Sequence, residues 1–187
     1  MTKEINDSAY WREFERNALT HSAAHYLMAI DSLREEMGYA RVTDVAEKLN
    51  VSRGAASTKI ADLKKRGWVS EDRNRMLFLA DEGKAIVNRV EHNFRILVRF
   101  FGNVLGVSKD TALGDACKME HLMSAETGQR LIGLMRFIEG DDDRMQAFHT
   151  FVESEDLHCE DVESCPICED ECLAVANTDL AKKGNPS

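Results

Sequence analysis

The pattern that most restricts how this chain can fold runs from Val42 to Leu79. Apolar and small residues recur as Val42-x-x-Val45-Ala46-x-x-Leu49-x-Val51-x-x-x-Ala55-Ala56, then Ile60, Leu63 and Trp68-Val69. Thr43 to Leu49 reads as a short helix capped by Thr43. Arg53 to Arg66 reads as a longer one, entered through a tight turn at Asn50-Val51-Ser52 and closed by Gly67. Small residues where two short helices cross, ahead of an amphipathic helix, spell helix-turn-helix. Two strand-like runs follow, Trp68-Val69-Ser70 and Met76-Leu77-Phe78-Leu79, flanking the polar turn Glu71-Asp72-Arg73-Asn74-Arg75. A hairpin with a basic tip in that place is the wing of a winged helix. The start of the second helix offers Ser52, Arg53, Ser57, Thr58 and Lys59 to a major groove about 12 Å wide, while Arg73 and Arg75 can reach phosphate oxygens. For the two helices alone, an ordinary core hairpin is the alternative.

Charge bears on this reading because the chain carries a net −9, which at first opposes a nucleic-acid partner. The charge is unevenly placed. Residues 34 to 75 hold ten Lys/Arg against seven Asp/Glu, whereas residues 140 to 187 hold three against thirteen. An acidic protein can therefore present a DNA-facing lobe. No apolar run approaches the roughly 20 residues of a membrane span, and Met1 to Asp7 has no apolar core of a signal peptide. These points lead to an expectation of a cytoplasmic protein.

The flanks are helical. From Tyr10 to Met37 one apolar line runs through Trp11, Phe14 and Ala18 and another through Tyr26, Leu27, Ile30 and Leu33. A break falls near Leu19-Thr20, with Thr20 placed to cap the second part and Gly38 to end it. Asp81 to Leu105 reads as one long helix with an apolar stripe through Ile86, Val90, Phe94, Leu97 and Phe101. Ser108 caps a helix from Lys109 to Met123, and Ser124 caps one from Ala125 to Ile138. A further acidic helix follows Asp141 and runs through about Val152. The apolar excess of the central helices suits a homodimer interface.

Two groups of residues carry metal-binding chemistry. Cys117, Glu120 and His121 stand at i, i+3 and i+4, so on a helix they share a face and can converge on a divalent metal. The plainer alternative is a buried cysteine beside two solvated polar groups. His21 and His25 also share a helical face, a pattern more often surface or packing than ligand. The tail holds the second group: Cys159, Cys165, Cys168 and Cys172, with a Cys-Pro-x-Cys knuckle. These four can close around zinc or hold an iron–sulfur cluster, or form a plain redox-active thiol tail. No Gly-rich loop, catalytic motif or third orienting residue accompanies Cys117, so the chain does not read as an enzyme.

With these segments in view, the chain resembles the diphtheria-toxin-repressor/manganese-transport-regulator family of metal-dependent repressors, from about Thr20 to Phe137. The segments that carry the resemblance are His25-Tyr26-Leu27-x-x-Ile30, Gly38-Tyr39-Ala40-Arg41-Val42-x-Asp44-Val45-Ala46, and Ala116-Cys117-Lys118-Met119-Glu120-His121-x-Met123-Ser124. The resemblance implies that a divalent metal bridges the DNA-binding lobe and the dimerisation helices, and that the metal-bound dimer binds a palindromic operator. It places ligands on Cys117, Glu120 and His121. It puts the N-terminal helix ligand on His25, where the family has methionine or aspartate. Met28 stands where manganese-selective members carry a second acid. The family's ancillary site falls on Phe94, Val98 and Leu113 and looks lost, with His92 two residues out of register. The SH3-like domain of longer members finds no counterpart here, and the resemblance does not reach the cysteine tail or His158.

The sequence thus leads us to expect a mainly α protein: a winged helix-turn-helix over residues 1–80, a helical metal-binding and dimerisation domain over 81–152, and an acidic Cys-rich tail over 153–187. The expected function is a homodimeric repressor that binds double-stranded DNA. Its thiolate and imidazole donors favour Fe(II) over Mn(II) as cofactor. The alternative is an iron–sulfur or redox sensor built on the tail.

Overall fold

The structure, a computed structural model, describes residues 19–154; the expected helix before Leu19 and the four tail cysteines lie outside the described residues. Helix α1 spans His21–Met37. Thr20 caps it, its Oγ1 accepting the Ala23 N–H at 3.2 Å, and Gly38 ends it with φ +78°, a backbone conformation that favours glycine.

Helix α2, Val42–Lys48, starts one residue earlier than expected. Its boundary residue is Arg41 in place of Thr43, because the Asp44 carboxylate accepts the Arg41 backbone N–H at 3.0 Å. Asn50 turns the chain with φ 52°. Helix α3, Arg53–Lys65, opens on Ser52, whose Oγ accepts the Ala55 N–H at 3.2 Å. Gly67 stops it with φ +77°, and the Trp68 N–H reaches back to the Leu63 carbonyl at 3.1 Å.

Strands β1, Val69–Glu71, and β2, Leu77–Leu79, form an antiparallel hairpin that pairs Val69 with Leu79, Ser70 with Phe78 and Glu71 with Leu77. Its tip is organised by Asp72, whose Oδ1 accepts the N–H groups of Asn74 at 2.9 Å and Met76 at 2.8 Å. This local bonding by an aspartate is what leaves Arg73 and Arg75 exposed at the tip.

Helix α4, Asp81–Arg99, is shorter than the expected helix to Leu105, because residues Phe100–Val104 form a π-helical turn. There the Leu105 N–H bonds the Phe100 carbonyl five residues back at 3.0 Å. Helix α5 covers Lys109–Met119, four residues short of the expected end at Met123. Helices α6, Ala125–Glu139, and α7, Asp142–Ser154, complete the described residues. These residues fall into two compact units, one ending at Arg136 and one beginning at Phe137. None of the described helices is long and apolar enough to cross a membrane.

The core of the first unit is built from α1, α2, α3, β2 and the first half of α4. Leu27, Ile30, Ile60, Leu63, Leu77 and Val90 are all buried in it. Each such side chain contributes roughly 1.5–3 kcal/mol by leaving water. The second half of α4 buries Ile96 and Leu97, and α5 buries Ala112 and Ala116. One helix therefore belongs both to the winged-helix core and to the part of the chain that carries Cys117.

Candidate metal centre

Helix α1 presents His21 and His25 one turn apart, with ring centroids 4.3 Å apart and the planes at 63°. Helix α5 brings Cys117 and Glu120 to meet them. Cys117 Sγ lies 3.5 Å from His25 Nε2 across 92 residues of sequence, and Glu120 Oε1 lies 4.0 Å from the same nitrogen. One donor atom from each of His21, His25, Cys117 and Glu120 falls within 4.8 Å of the others, the one such group found among the described residues.

The expected set differed in one member. α5 ends at Met119, and Glu120, its C-cap, keeps a helical backbone with φ −51° and ψ −40°. Cys117 and Glu120 therefore still share a face, as three residues on a helix should. His121 falls in the turn beyond. It sits beside the group, its ring 5.1 Å from that of His21. The i, i+4 spacing of His21 and His25 carried the signal that could have placed His21 here. His92 is exposed, and Met28 packs against the hydrophobic core.

Asn93 had no role in the sequence reading. It is 3% exposed in α4, and its side-chain amide donates to the Glu120 carbonyl at 2.8 Å and to the Met123 carbonyl at 3.0 Å. Asn93 thereby pins the turn that carries Glu120 and His121.

Burial governs the electrostatics. It pushes the Glu120 carboxyl up to about 7. It also raises the Cys117 thiol, with the Glu120 charge adding to the effect. Burial lowers His25, helped by His21, and lowers His121, helped by His21 and His25. Every one of these shifts favours the neutral form; the Lys118 charge opposes the rise at Cys117 without overcoming it. The Glu120 Oε1 and the His121 Nδ1 are buried without a hydrogen-bond partner among the described residues. The adjacent Lys118 ammonium pairs instead with Asp115 at 3.0 Å. A buried carboxylate oxygen without a donor is costly. A divalent cation held by neutral imidazoles, a thiolate and this carboxylate removes that cost, so the residues present fit a metal.

The expected DNA-facing residues occupy two situations. Arg53, Ser57, Arg73 and Arg75 are exposed. Ser52 is also exposed while its hydroxyl caps α3. Thr58 is exposed too, and its hydroxyl donates to the Gly54 carbonyl at 3.0 Å. Lys59 turns back toward α1, its Nζ donating to Thr20 Oγ1 at 3.4 Å.

Residues 18–77 match the family described as the iron dependent repressor, N-terminal DNA binding domain. Residues 80–148 match the iron dependent repressor, metal binding and dimerisation domain. The HTH-type transcriptional regulator MntR of Bacillus subtilis is 30% identical over 139 residues, covering 74% of this chain and 97% of that protein. The regulator of the same name from Geobacillus kaustophilus is 30% identical over 128 residues, covering 68% and 90%. Among solved structures, the metal-dependent transcriptional regulator MtsR is similar with a TM-score of 0.56 and 28% identity, over 62% of this chain and 54% of that one.

Proposed function

The chain belongs to the iron-dependent repressor family of metal-dependent transcriptional regulators, and on that premise we propose that His25 with Cys117 and Glu120 forms its metal-sensing clasp. His121 is the further ligand that the resemblance implies. The observation that carries the reading is the buried Glu120 Oε1, without a hydrogen-bond partner among the described residues, 4.0 Å from the His25 imidazole, which itself lies 3.5 Å from the Cys117 thiol across 92 residues of sequence.

The clasp joins two parts with different tasks. Cys117 and Glu120 belong to the metal-binding and dimerisation domain, residues 80–148, and His25 to the DNA-binding domain, residues 18–77. A bound divalent ion supplies positive charge and a cross-link between α1 and the end of α5. His25 then fixes α1, and α1 touches both DNA-facing parts. Its Arg34 donates to the Leu77 carbonyl of the wing at 3.3 Å and stacks its guanidinium 4.0 Å over the Phe78 ring. Its cap Thr20 accepts from Lys59 of α3.

In a dimer, fixing α1 sets both α3 helices for half-sites about 34 Å apart on a palindromic operator. Moving such an orientation from 1:99 to 99:1 takes about 5.5 kcal/mol. That figure is the difference in metal affinity the clasp has to supply between the fixed arrangement and the others; donors drawn from both α1 and the end of α5 favour the arrangement in which they meet. Arg53, Ser57, Arg73 and Arg75, with Ser52, Thr58 and Lys59 around them, form the proposed DNA face of a cytoplasmic regulator.

The donor set supports Fe(II) ahead of Mn(II), because manganese prefers oxygen ligands. A structural relative at 27% identity and a TM-score of 0.50 is described as a manganese-dependent transcriptional repressor in complex with manganese. Both ions therefore belong in the test. Mobility-shift titrations with Fe(II) under anaerobic conditions and with Mn(II) should show metal-dependent operator binding in the wild type. Cys117→Ala should lose that dependence and keep its circular dichroism. Unchanged metal dependence in Cys117→Ala sinks the clasp. Metal content of the full chain beside a truncation after Val152 apportions metal between this site and the four tail cysteines, whose zinc or iron–sulfur ligation is a separate expectation.

A further inference from the structure

We propose that His21 is itself a ligand of the sensed ion, so that the site is a four-donor set of His21, His25, Cys117 and Glu120 suited to a four-coordinate metal. The proposal rests on the metal-sensing reading above and changes its chemistry. On the N-terminal helix the resemblance leaves this chain His25, with Met28 in place of the second acid of manganese-selective members; the geometry adds His21.

Four observations point the same way. His21 and His25 are at i, i+4 on α1, a spacing that lets two helical histidines hold one metal. Their rings meet edge to face at 4.3 Å, as close as two imidazoles converging on a common point need to be. The four donor atoms lie within 4.8 Å of one another. In a tetrahedral zinc site with bonds of 2.0–2.3 Å, neighbouring donors stand roughly 3.4–3.7 Å apart. His25 Nε2 and Cys117 Sγ are already at 3.5 Å, and the remaining pairs need to close by about 1 Å, within the reach of side-chain rotation. Finally, the end of α5 at Met119 leaves His121 in the turn outside this group.

The charges also balance. One thiolate and one carboxylate neutralise a divalent ion, and two neutral imidazoles complete its shell without adding charge. Such a nitrogen–sulfur–oxygen set suits Zn(II), Co(II) or Fe(II), whereas Mn(II) favours oxygen-rich, six-coordinate surroundings. His21 is exposed in the first turn of α1, so its imidazole can be removed without opening the core.

The test is anaerobic titration of the full chain with Co(II), whose visible absorption is intense in four-coordinate sites and weak in six-coordinate ones. Wild type, His21→Ala and Cys117→Ala are compared, with circular dichroism and metal-free melting as controls of folding. Wild type should give the intense four-coordinate spectrum. His21→Ala should bind Co(II) at least about tenfold more weakly, since even an outer-shell partner of a metal ligand typically costs 10–100-fold, and its spectrum should change. Wild-type affinity and spectrum in His21→Ala would overturn the role of His21 while leaving the site itself standing. A Cys117→Ala protein indistinguishable from wild type would instead remove the metal site, and this proposal with it.

Discussion

Replacing Glu120 by glutamine tests the candidate centre through stability alone. The carboxyl is 2% exposed, its Oε1 lacks a partner among the described residues, and burial pushes its pKa from 4.5 to about 7. A carboxyl whose folded pKa lies above its unfolded value holds more protons in the folded state. Its contribution to stability is therefore present below the unfolded value and lost as pH rises through about 7. At about 1.36 kcal/mol per pH unit the whole effect is about 3.4 kcal/mol, and the part falling between pH 5 and 8 is about 2.5 kcal/mol. Glutamine keeps the shape and cannot ionise.

The assay is urea unfolding of chelator-treated wild type and Glu120→Gln at one protein concentration, from pH 5 to 8. The two should be close at pH 5, and the variant should be the more stable by about 2–3 kcal/mol at pH 8. Adding divalent metal should reverse the order, because metal at 100 times its Kd stabilises the protein that binds it by about 2.7 kcal/mol. Parallel pH profiles for the two metal-free proteins would refute the argument, since they would mean that Glu120 keeps its charge solvated or paired.

Four further variants probe other parts of the structure. Asn93→Ala leaves the Glu120 and Met123 carbonyls without their donor; it should cost about 1–3 kcal/mol in urea unfolding and about 10–100-fold in metal affinity by titration. Gly83→Ala would place a Cβ 2.2 Å from the Trp68 carbonyl oxygen, which already accepts the Ala80 N–H, and should destabilise by about 3 kcal/mol. Gly114→Ala meets nothing within 4 Å and should gain about 0.5–1 kcal/mol; equal effects at the two glycines would contradict the packing of the Trp68 backbone against α4. Replacing Arg73 and Arg75 together by alanine should weaken operator binding evenly across sequences and reduce the slope of log affinity against log salt by about 2. An unchanged slope would place the wing off the DNA backbone.

The winged helix was legible because its signals are local. Thr20, Ser108 and Ser124 each read as a helix cap, and each side chain accepts the backbone N–H three residues on; Ser52, read as part of a turn, does the same. Gly38 and Gly67 read as stops and adopt positive φ. The end of α5 was not legible, because Glu120 to Met123 contains neither glycine nor proline and continues the helical pattern. What ends the helix comes from far along the chain. In a continuing helix the Glu120 carbonyl would accept from residue 124 and the Met123 carbonyl from residue 127. Asn93 takes both carbonyls instead, and the Thr127 N–H goes to Ser124 Oγ. A partner 27 residues away overrides local propensity, and His121 falls in the turn beyond α5. The π-helical turn at Phe100–Val104 had no sequence signal either, since Gly102 is its only irregular residue.

Why the clasp should act through α1, rather than on the recognition helix directly, follows from what α1 touches. Nine residues separate His25 from Arg34, about 13.5 Å at 1.5 Å per residue. At one end of that span His25 meets Cys117 and Glu120; at the other Arg34 binds the backbone of β2 and covers Phe78. Between them Leu27 and Ile30 are fully buried in the core shared with α3 and β2. A buried helix with close-packed neighbours moves as a unit, because interiors resist small displacements. A constraint on His25 is therefore felt at the wing and, through Thr20 and Lys59, at α3. A ligand on α3 itself would have to share that helix with DNA. In the proposed clasp, donors on α1 would keep the sensing surface apart from the reading surface while one helix joins them. His21 sharpens the arrangement: as a second ligand it would resist rotation of α1 about its own axis, which a single contact at His25 leaves free.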